Sequence, residues 1–267
     1  MKQQIPVWVI NLKKRPDRLE KITARLDQLG IKWENIEAID GKNCKKDKLD
    51  ISAKNGEIGF LSDNTRACTA SHYKAWKLLV SSKDSYGIIL EDDVELSDEF
   101  RDLLCSKSWI PKGADLIKLE KFLPTKISKI LIGKSLTQAL GETRHVHKMY
   151  SRHTGAAAYL LSVNGANRLL KCKTKYTVPV DHLLFNETVS KLCTSLAPMI
   201  LIPPIAWQSV EVGQGSNIAG SYEKKPISKL KKLLRSFKRS YFESRLWPYQ
   251  LWMLIIGKAK IKSIFPK

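Results

Sequence analysis

Three consecutive acidic residues follow a short apolar run in this chain of 267 residues. Residues 86–90 read Tyr-Gly-Ile-Ile-Leu and predict a buried strand, so Glu91, Asp92 and Asp93 fall at its carboxyl end, where open α/β sheets bind their ligands. Adjacent carboxylates repel one another, and a hard divalent cation would neutralise them through oxygen ligands. Because side chains alternate along a strand, we expect Glu91 and Asp93 on one face as metal ligands and Asp92 on the other.

The same acids also fit a purely structural interpretation. Acidic residues in a first turn stabilise a helix through its dipole, and Ser97 could cap such a helix ahead of Asp98 and Glu99. The residues by themselves leave the metal site and this helix start equally open.

A second candidate site lies between the first predicted strand and the first predicted helix. Residues 5–12 form an apolar strand pattern, and the helical pattern after them has Pro16 in its first turn and Gly30 at its C-terminal stop. Arg15 and Arg18 therefore lie where a strand end meets a helix N-terminus, where basic side chains can bind a diphosphate. A solvated basic loop is the alternative interpretation.

Four short motifs occur in an order and spacing that resemble glycosyltransferase family 25, the bacterial lipooligosaccharide galactosyltransferases and their relatives. They are an N-L-x-x-R start at 11–15, an A-h-D-G turn at 38–41 (h is apolar), a C-x-x-S-H helix start at 68–72 and an L-E-D-D-V strand end at 90–94. The resemblance covers roughly residues 5 to 222. Ordered co-occurrence is far more specific than any single motif.

The resemblance implies a fold and an activity. The expected fold is α/β, a GT-A-like Rossmann-type mixed sheet flanked by helices, with the donor over the carboxyl ends of the first strands. The expected enzyme is an inverting, metal-dependent UDP-sugar glycosyltransferase that uses Mn²⁺ or Mg²⁺. UDP-galactose is the expected donor, and a lipid-linked lipooligosaccharide or lipopolysaccharide core sugar is the expected acceptor, so the product carries a β-glycosidic bond.

The resemblance also implies roles for individual residues. Glu91 and Asp93 are the expected metal ligands. The expected donor-binding residues are Asn11, Arg15, Arg18, Asp40, Gly41, Ser71, His72 and Asp92. An inverting transfer needs a carboxylate that takes the proton of the acceptor hydroxyl, for which Asp181 and Glu120 are the candidates. Because Asp181 follows Pro179 at a predicted helix start, helix capping and metal ligation are its alternative roles.

One motif departs from the family pattern. Members usually carry a Gly-Glu-Ile-Gly-Cys run, whereas Thr65, Arg66 and Ala67 precede Cys68 here and a Gly-Glu-Ile-Gly run lies upstream at 56–59. The large Arg66 side chain is expected to affect how this loop packs and which sugar is preferred.

Positive charge concentrates at the C-terminal end. The formal net charge is +20, and residues 223–267 hold thirteen Lys or Arg against two acids, a net of +11. From 224 to 239 the cations are interleaved with Leu at helical spacing, and Trp, Tyr and Phe follow, a composition typical of a membrane interface. We therefore expect a catalytic domain over 1–222 and a basic amphipathic tail over 223–267 that binds the anionic inner-membrane surface. A solvated helix pair packed on the catalytic domain is the alternative.

Composition limits the remaining function classes. Five cysteines without a C-x-x-C pair predict free thiols in a reducing compartment, and no apolar stretch reaches the roughly 20 residues of a membrane span. The expected location is cytoplasmic, peripheral on the cytoplasmic face of the inner membrane. Nucleic acid is not an expected partner, because the chain carries no recognised binding fingerprint despite its pI of 9.7. The alternative function is a basic protein that binds membrane or nucleic acid on a catalytically silent transferase fold.

Overall fold

A nine-stranded mixed sheet forms the centre of the computed structural model, which describes residues 4–122, 125–141, 143–172, 174–209, 237 and 240–265. A three-stranded sheet and a two-stranded hairpin accompany it. Helices cover both faces of the large sheet, so the predicted α/β fold with a mixed sheet flanked by helices is confirmed. The GT-A assignment stays a prediction.

The strands and helices alternate along most of the described chain. The strands are β1 (Val7–Asn11), β2 (Glu34–Glu37), β3 (Asn55–Gly56), β4 (Gly59–Phe60), β5 (Tyr86–Glu91), β6 (Val94–Leu96), β7 (Leu116–Lys118), β8 (Glu120–Lys121), β9 (Ser128–Ala139), β10 (Arg144–Met149), β11 (Ala158–Ser162), β12 (Met199–Ile202), β13 (Ala206–Gln208) and β14 (Ala259–Ile264). The helices are α1 (Pro16–Gln28), α2 (Asp63–Ser81), α3 (Phe100–Leu104), α4 (Val163–Leu170), α5 (Val180–Phe185), α6 (Lys191–Leu196) and α7 (Trp247–Ile255).

Strand β1 shows why helices cover both faces of the sheet. All five of its residues are buried, with Val7 and Val9 packed on the side of α1 and Trp8 and Ile10 packed on the side of α2. A strand that is buried on both faces is apolar at successive positions, so its sequence is a continuous apolar run.

The strand order brings the predicted site together. The sheet runs β14-β9-β10-β12-β7-β11-β5-β1-β2, and β5, β1 and β2 are parallel neighbours. Their carboxyl ends meet at one end of the sheet, where β5 ends at Glu91 and β1 ends at Asn11. As predicted, α1 begins there at Pro16, and the chain leaves it through Gly30, which has a left-handed φ of +63°.

A strand, and not a helix, follows β5. Asp92 and Asp93 form the turn into β6, which pairs with β13 in the three-stranded sheet. The next helix is α3, whose N-cap is Glu99 without a side-chain capping bond. The interpretation of the acids as a helix start, with Ser97 as its N-cap, is therefore wrong, because the chain pairs as a strand directly after the turn.

The last described strand belongs to the central sheet. β14 pairs with β9 at the outer edge, and α7 packs over both through Met253, which clusters with Leu131 and Tyr150. Gln250 also donates a hydrogen bond to the backbone oxygen of Tyr150 at 2.7 Å. The end of the predicted tail is thus part of the sheet, whereas the predicted boundary at residue 222 and most of the basic stretch after it lie outside the described residues. Among the described helices, none combines the length and the apolar character needed to cross a membrane.

Candidate active site

One pocket opens at the carboxyl ends of β1, β2 and β5, with further walls from α1 and α2. The sequence-predicted residues in its wall are Arg18, Asp40, Gly41, Ser71, His72, Glu91, Asp92 and Asp93. Cys68 and Gln208 also line the pocket, although the sequence did not indicate them as site residues. The other predicted residues, which lie outside this wall, are Asn11, Arg15, Glu120 and Asp181.

Asp92 is held from two directions. Its Oδ2 accepts a hydrogen bond from Asn11 Nδ2 at 2.7 Å, and its Oδ1 lies 3.2 Å from Arg18 Nη1. The buried Asn11 also donates to the backbone oxygen of Arg15 at 3.0 Å. Asn11 therefore ties the acid to the loop between β1 and α1, which is a supporting position and not a place in the pocket wall.

The two arginines predicted to bind a diphosphate have different partners. Arg15 pairs with the exposed Asp17 at 2.6 Å, and this hydrogen bond lowers the pKa of Asp17 to about 2. Arg18 reaches the acids instead, at 3.2 Å from Asp92 and 3.5 Å from Asp93. Arg18 is thus the arginine that lines the pocket.

Asp93 keeps one oxygen without a partner. Its Oδ2 accepts a hydrogen bond from Gln208 Nε2 at 3.3 Å, whereas its Oδ1 is buried and has no hydrogen-bond partner in the described part of the chain. Burial, and then the charges of Glu91 and Asp92, raise the pKa of Asp93 to about 7. A buried carboxylate oxygen without a partner is costly unless a proton or a cation binds to it.

Glu91 faces α2. Its Oε1 lies 3.1 Å from His72 Nε2, and burial, followed by the charges of Glu120 and Asp92, raises its pKa to about 8. The strand alternation predicted for the three acids stops at Glu91, because Asp92 and Asp93 belong to the turn. The assignment of Glu91 and Asp93 as metal ligands stays a prediction.

Two buried aromatic side chains hold His72. Its Nδ1 lies 2.9 Å from the hydroxyl of Tyr159, which accepts a hydrogen bond from Trp76 Nε1 at 2.9 Å. Burial lowers the pKa of His72 to about 4, so the ring is neutral at pH 7. Trp76 follows His72 by four residues on α2, so helical spacing indicates that the two share a face. Tyr159 comes from β11, and no local pattern points to it.

Glu120, the first candidate base, is fully buried in an ion pair. Its Oε1 lies 2.9 Å from Lys118 Nζ and accepts a hydrogen bond from the backbone N–H of Ala157 at 2.8 Å. Lys118 also donates to the backbone oxygen of Gly155 at 2.5 Å. These contacts engage Oε1, and Oε2 is buried without a hydrogen-bond partner among the described residues, so neither oxygen is exposed to an acceptor sugar.

Asp181, the second candidate base, is partly exposed in the first turn of α5. Its Oδ2 accepts a 3.5 Å hydrogen bond from the backbone N–H of Gly155. The N-cap of α5 is Pro179 and Asp181 is the second residue of the helix, so the capping role considered for Asp181 is wrong. Burial raises the pKa values of Glu91 and of the Cys68 thiol, and the charge of Asp181 raises both further. The carboxylate of Asp181 therefore lies near the pocket.

The loop 38–41 rests against α2. Ser71 Oγ accepts a hydrogen bond from the backbone N–H of Ile39 at 2.8 Å. Gly41 permits the close approach, because a Cβ at this position would lie 2.6 Å from backbone atoms in the first turn of α2. Ser71 and Gly41 therefore shape the pocket by holding this loop.

Asp40 is the charged group of the same loop. It lies 2.8 Å from Lys14 Nζ and accepts hydrogen bonds from Asn43 Nδ2 at 2.9 Å and the backbone N–H of Lys42 at 3.1 Å. Burial alone would raise the pKa of Asp40, but these hydrogen bonds outweigh it and lower the pKa. Asp40 is therefore an ionised acceptor in the pocket wall at neutral pH.

Arg66, which departs from the family pattern, points into the neighbouring loop. Its guanidinium donates to the backbone oxygens of Ser52 at 3.2 Å and Leu49 at 2.9 Å, and it pairs with Asp63 at 3.0 Å. The buried side chain thus fastens the loop before α2 to the helix, while Cys68 lines the pocket.

Comparison with known proteins identifies the family. A family model described as "Glycosyltransferase family 25 (LPS biosynthesis protein)" matches residues 4–184. The chain belongs to glycosyltransferase family 25. The matched residues include the three acids of the β5 end and both candidate bases, so the resemblance of the four motifs is confirmed. Gln208 of the pocket wall lies beyond the matched range.

Three relatives illustrate the range of this family. A glycosyltransferase 25 family member of Aedes aegypti is 28% identical over 232 residues, which cover 74% of this chain and 35% of the insect protein. The lipooligosaccharide biosynthesis protein lic2B of Haemophilus influenzae is 26% identical, with 67% of this chain and 69% of that protein covered. Procollagen galactosyltransferase 2 of Homo sapiens is 26% identical, with 67% and 29% covered. The chain spans about a third of the length of the insect relatives that it matches.

Proposed function

We propose that this family member is an inverting glycosyltransferase that moves galactose from UDP-galactose onto a lipooligosaccharide or lipopolysaccharide core sugar, on a GT-A-like fold. The observation that carries the proposal is the grouping of Glu91, Asp92 and Asp93 with Arg18 at the carboxyl ends of parallel strands. The names of two relatives, a lipooligosaccharide biosynthesis protein and a procollagen galactosyltransferase, support the class of acceptor and the donor sugar.

The acids at the end of β5 fit a hard divalent cation such as Mn²⁺ or Mg²⁺. Asp93 Oδ1 is buried and has no protein partner among the described residues, and the nearby donors are carboxylate oxygens, which such cations prefer. Glu91 and Asp93 would hold the cation, with Asp92 kept beside them by Asn11. When bound, the cation stabilises the negative charge of the leaving diphosphate.

The remaining steps are assigned to side chains of the chain itself. Arg18 adds positive charge beside the diphosphate. The acceptor hydroxyl oxygen bonds to the anomeric carbon as the bond from that carbon to the diphosphate oxygen breaks, and Asp181 takes the hydroxyl proton. Asp181 is preferred to Glu120 because it is partly exposed, whereas Glu120 is fully buried against Lys118.

An exposed apolar surface on α7, on β14 and at the residue that follows β14 supports a membrane-bound acceptor. The members of this apolar surface are Trp247, Tyr249, Leu251, Trp252, Ile255, Ile261 and Phe265, with exposed fractions from 44% to 69%. Exposed lysines at 258, 260 and 262 lie along the same segment. Aromatic side chains beside lysines suit the interface of an anionic leaflet, where each lysine contributes about 1 kcal/mol. The proposed location is the cytoplasmic face of the inner membrane, beside a lipid-linked acceptor.

A donor screen tests the proposed reaction. The purified full-length chain is incubated with a set of UDP-sugars and a soluble core oligosaccharide, with Mn²⁺ or with chelator. The expected result is metal-dependent transfer from UDP-galactose and a β-linked product identified by NMR. Transfer from a different UDP-sugar would overturn the donor assignment. No consumption of any UDP-sugar would overturn the transferase proposal and favour the catalytically silent alternative.

A further inference from the structure

Cys68, His72 and Glu91 bring three different kinds of ligand atom together in the pocket. The Cys68 sulfur, a His72 ring nitrogen and a Glu91 carboxylate oxygen all lie within 4.8 Å of one another. Cys68 and His72 are four residues apart on α2 and so share a face of the helix, and Glu91 approaches them from the end of β5.

The separations are close to those of a tetrahedral metal centre. Zn²⁺ bonds of about 2.0 to 2.3 Å separate the ligand atoms by roughly 3.3 to 3.6 Å. The 3.1 Å contact between His72 and Glu91 is slightly shorter than this, and no separation in the group exceeds 4.8 Å. Small side-chain adjustments would therefore bring the three atoms to bonding distance.

The ligand set selects a different class of metal from the acids of the turn. A thiolate and an imidazole favour borderline or soft ions such as Zn²⁺ and Co²⁺, whereas Mn²⁺ and Mg²⁺ prefer oxygen ligands alone. All three side chains line the pocket, so an ion can reach them and keep an open fourth position towards it.

The surroundings of His72 provide an independent second observation. With Nε2 directed at Glu91, the other ring nitrogen lies 2.9 Å from the hydroxyl of Tyr159, and Trp76 holds that hydroxyl in turn. Metal-binding histidines donate the second ring N–H to an acceptor that fixes the orientation of the ring, and the Tyr159 hydroxyl oxygen is placed to be that acceptor.

We propose that Cys68, His72 and Glu91 form a binding site for a thiophilic divalent cation, with Zn²⁺ as the expected ion. The site differs in its ligand atoms from the proposed carboxylate site, and the two share Glu91. Occupation by Zn²⁺ should therefore inhibit transfer that is supported by Mn²⁺, a consequence that rests on the proposed function.

Titration of the full-length chain with Co²⁺ alone tests the site without any need for activity. The expected spectrum has visible bands of tetrahedral cobalt and a near-ultraviolet thiolate-to-cobalt charge-transfer band. Cys68→Ser and Cys68→Ala should both lose that band and weaken Zn²⁺ binding by roughly tenfold or more. The matched control Cys44→Ser changes another partly buried thiol outside the group and should keep the band. Tyr159→Phe should weaken Zn²⁺ binding by about 10- to 100-fold.

The outcomes separate this site from the proposed reaction. A missing charge-transfer band in the unmodified chain, or a band that persists in both Cys68 variants, would overturn the site. A band with the predicted variant pattern supports the site even if the donor screen detects no transfer. Where transfer is detected, inhibition of the unmodified chain and of Cys44→Ser by ZnCl₂ supports the shared use of Glu91 by the two sites. Undiminished transfer while Zn²⁺ occupies the site would overturn that shared use.

Discussion

Replacing Asp93 by Asn is expected to stabilise the metal-free protein while it removes activity. The substitution removes a buried negative charge that Glu91 and Asp92 oppose, and the amide oxygen can still accept the hydrogen bond from Gln208. A folded-state pKa of about 7 against the ordinary 3.8 corresponds to about 4 kcal/mol, at 1.36 kcal/mol for each tenfold change in proton affinity. Because the neighbouring acids share this cost, we expect a gain of about 2 to 4 kcal/mol in the free energy of unfolding.

The sign of this effect depends on pH. The carboxyl of Asp93 ionises near 3.8 in the unfolded chain and near 7 in the folded protein, so the unfolded state loses its proton first. The contribution of Asp93 to the free energy of unfolding therefore falls as the pH rises between these two values. At pH 4 the variant and the unmodified protein should be nearly equal in stability, and at pH 8 the full gain should be present.

Urea unfolding followed by circular dichroism measures the gain at both pH values, with chelator present. Asp17→Asn is the matched control, because Asp17 is exposed and its pKa is lowered by Arg15, so its replacement should not stabilise the protein. Calorimetry on the folded Asp93→Asn variant should show that metal-dependent UDP binding is lost. Equal gains at pH 4 and pH 8, or no gain at pH 8, would refute the reasoning from buried charge.

The base, the apolar surface and the pocket loop each allow a direct test. Asp181→Asn should lower kcat by about 10² or more with donor affinity nearly unchanged, as expected for a general base. Glu120→Gln should instead cost about 3 to 5 kcal/mol of folding stability, because it leaves the buried Lys118 without a counter-charge. Trp252→Ser should reduce flotation with anionic liposomes, and the reduction should be stronger at high salt, because salt screens the attraction of the lysines and leaves apolar contacts to hold the protein. Phe60→Ser changes a similarly exposed aromatic residue on β4 and should not reduce flotation. Gly41→Ala should weaken UDP binding and cost about 1 to 3 kcal/mol in thermal unfolding, because its Cβ would meet the backbone of α2 at 2.6 Å.

Each of these tests has an outcome that contradicts it. A fall in donor or metal affinity for Asp181→Asn would make that residue a ligand and not the base. Equal flotation of the Trp252 and Phe60 variants would end the assignment of the apolar surface to a membrane, and tighter binding to DNA than to liposomes would revive the nucleic-acid alternative. Unchanged UDP affinity for Gly41→Ala would separate the loop from the donor site.

Local signals in the sequence predict the elements that carry the site. Residues 86–90 are apolar at every position but a glycine because β5 is buried on both faces, and the acids that follow mark where the strand meets solvent and ligand. Pro16 and Gly30 mark the ends of α1 because each restricts or extends the backbone angles available at its own position. These properties depend only on neighbouring residues, so the sequence is sufficient for them.

Long-range contacts decide what each site residue does. Asp92 meets Asn11 across 81 positions of sequence, and Asp93 meets Gln208 across 115. Glu120 could be proposed as a base from its residue type, but its burial and its hydrogen bond from the backbone N–H of Ala157, 37 positions away, appear only in the fold. Strand order and burial produce these contacts, so the periodicity of a single segment cannot predict them.

In the C-terminal segment, too, some properties follow from the sequence and others only from the tertiary structure. Its charge and aromatic content follow from composition, and the interpretation as an interface depends only on which residue types are present. The pairing of β14 with β9 depends on the tertiary structure. β9 offers free backbone N–H and C=O groups along its edge, and α7 covers one face of the pair. The sequence therefore determined which side chains are available, and the tertiary structure decided which of them are buried in the sheet and which remain exposed.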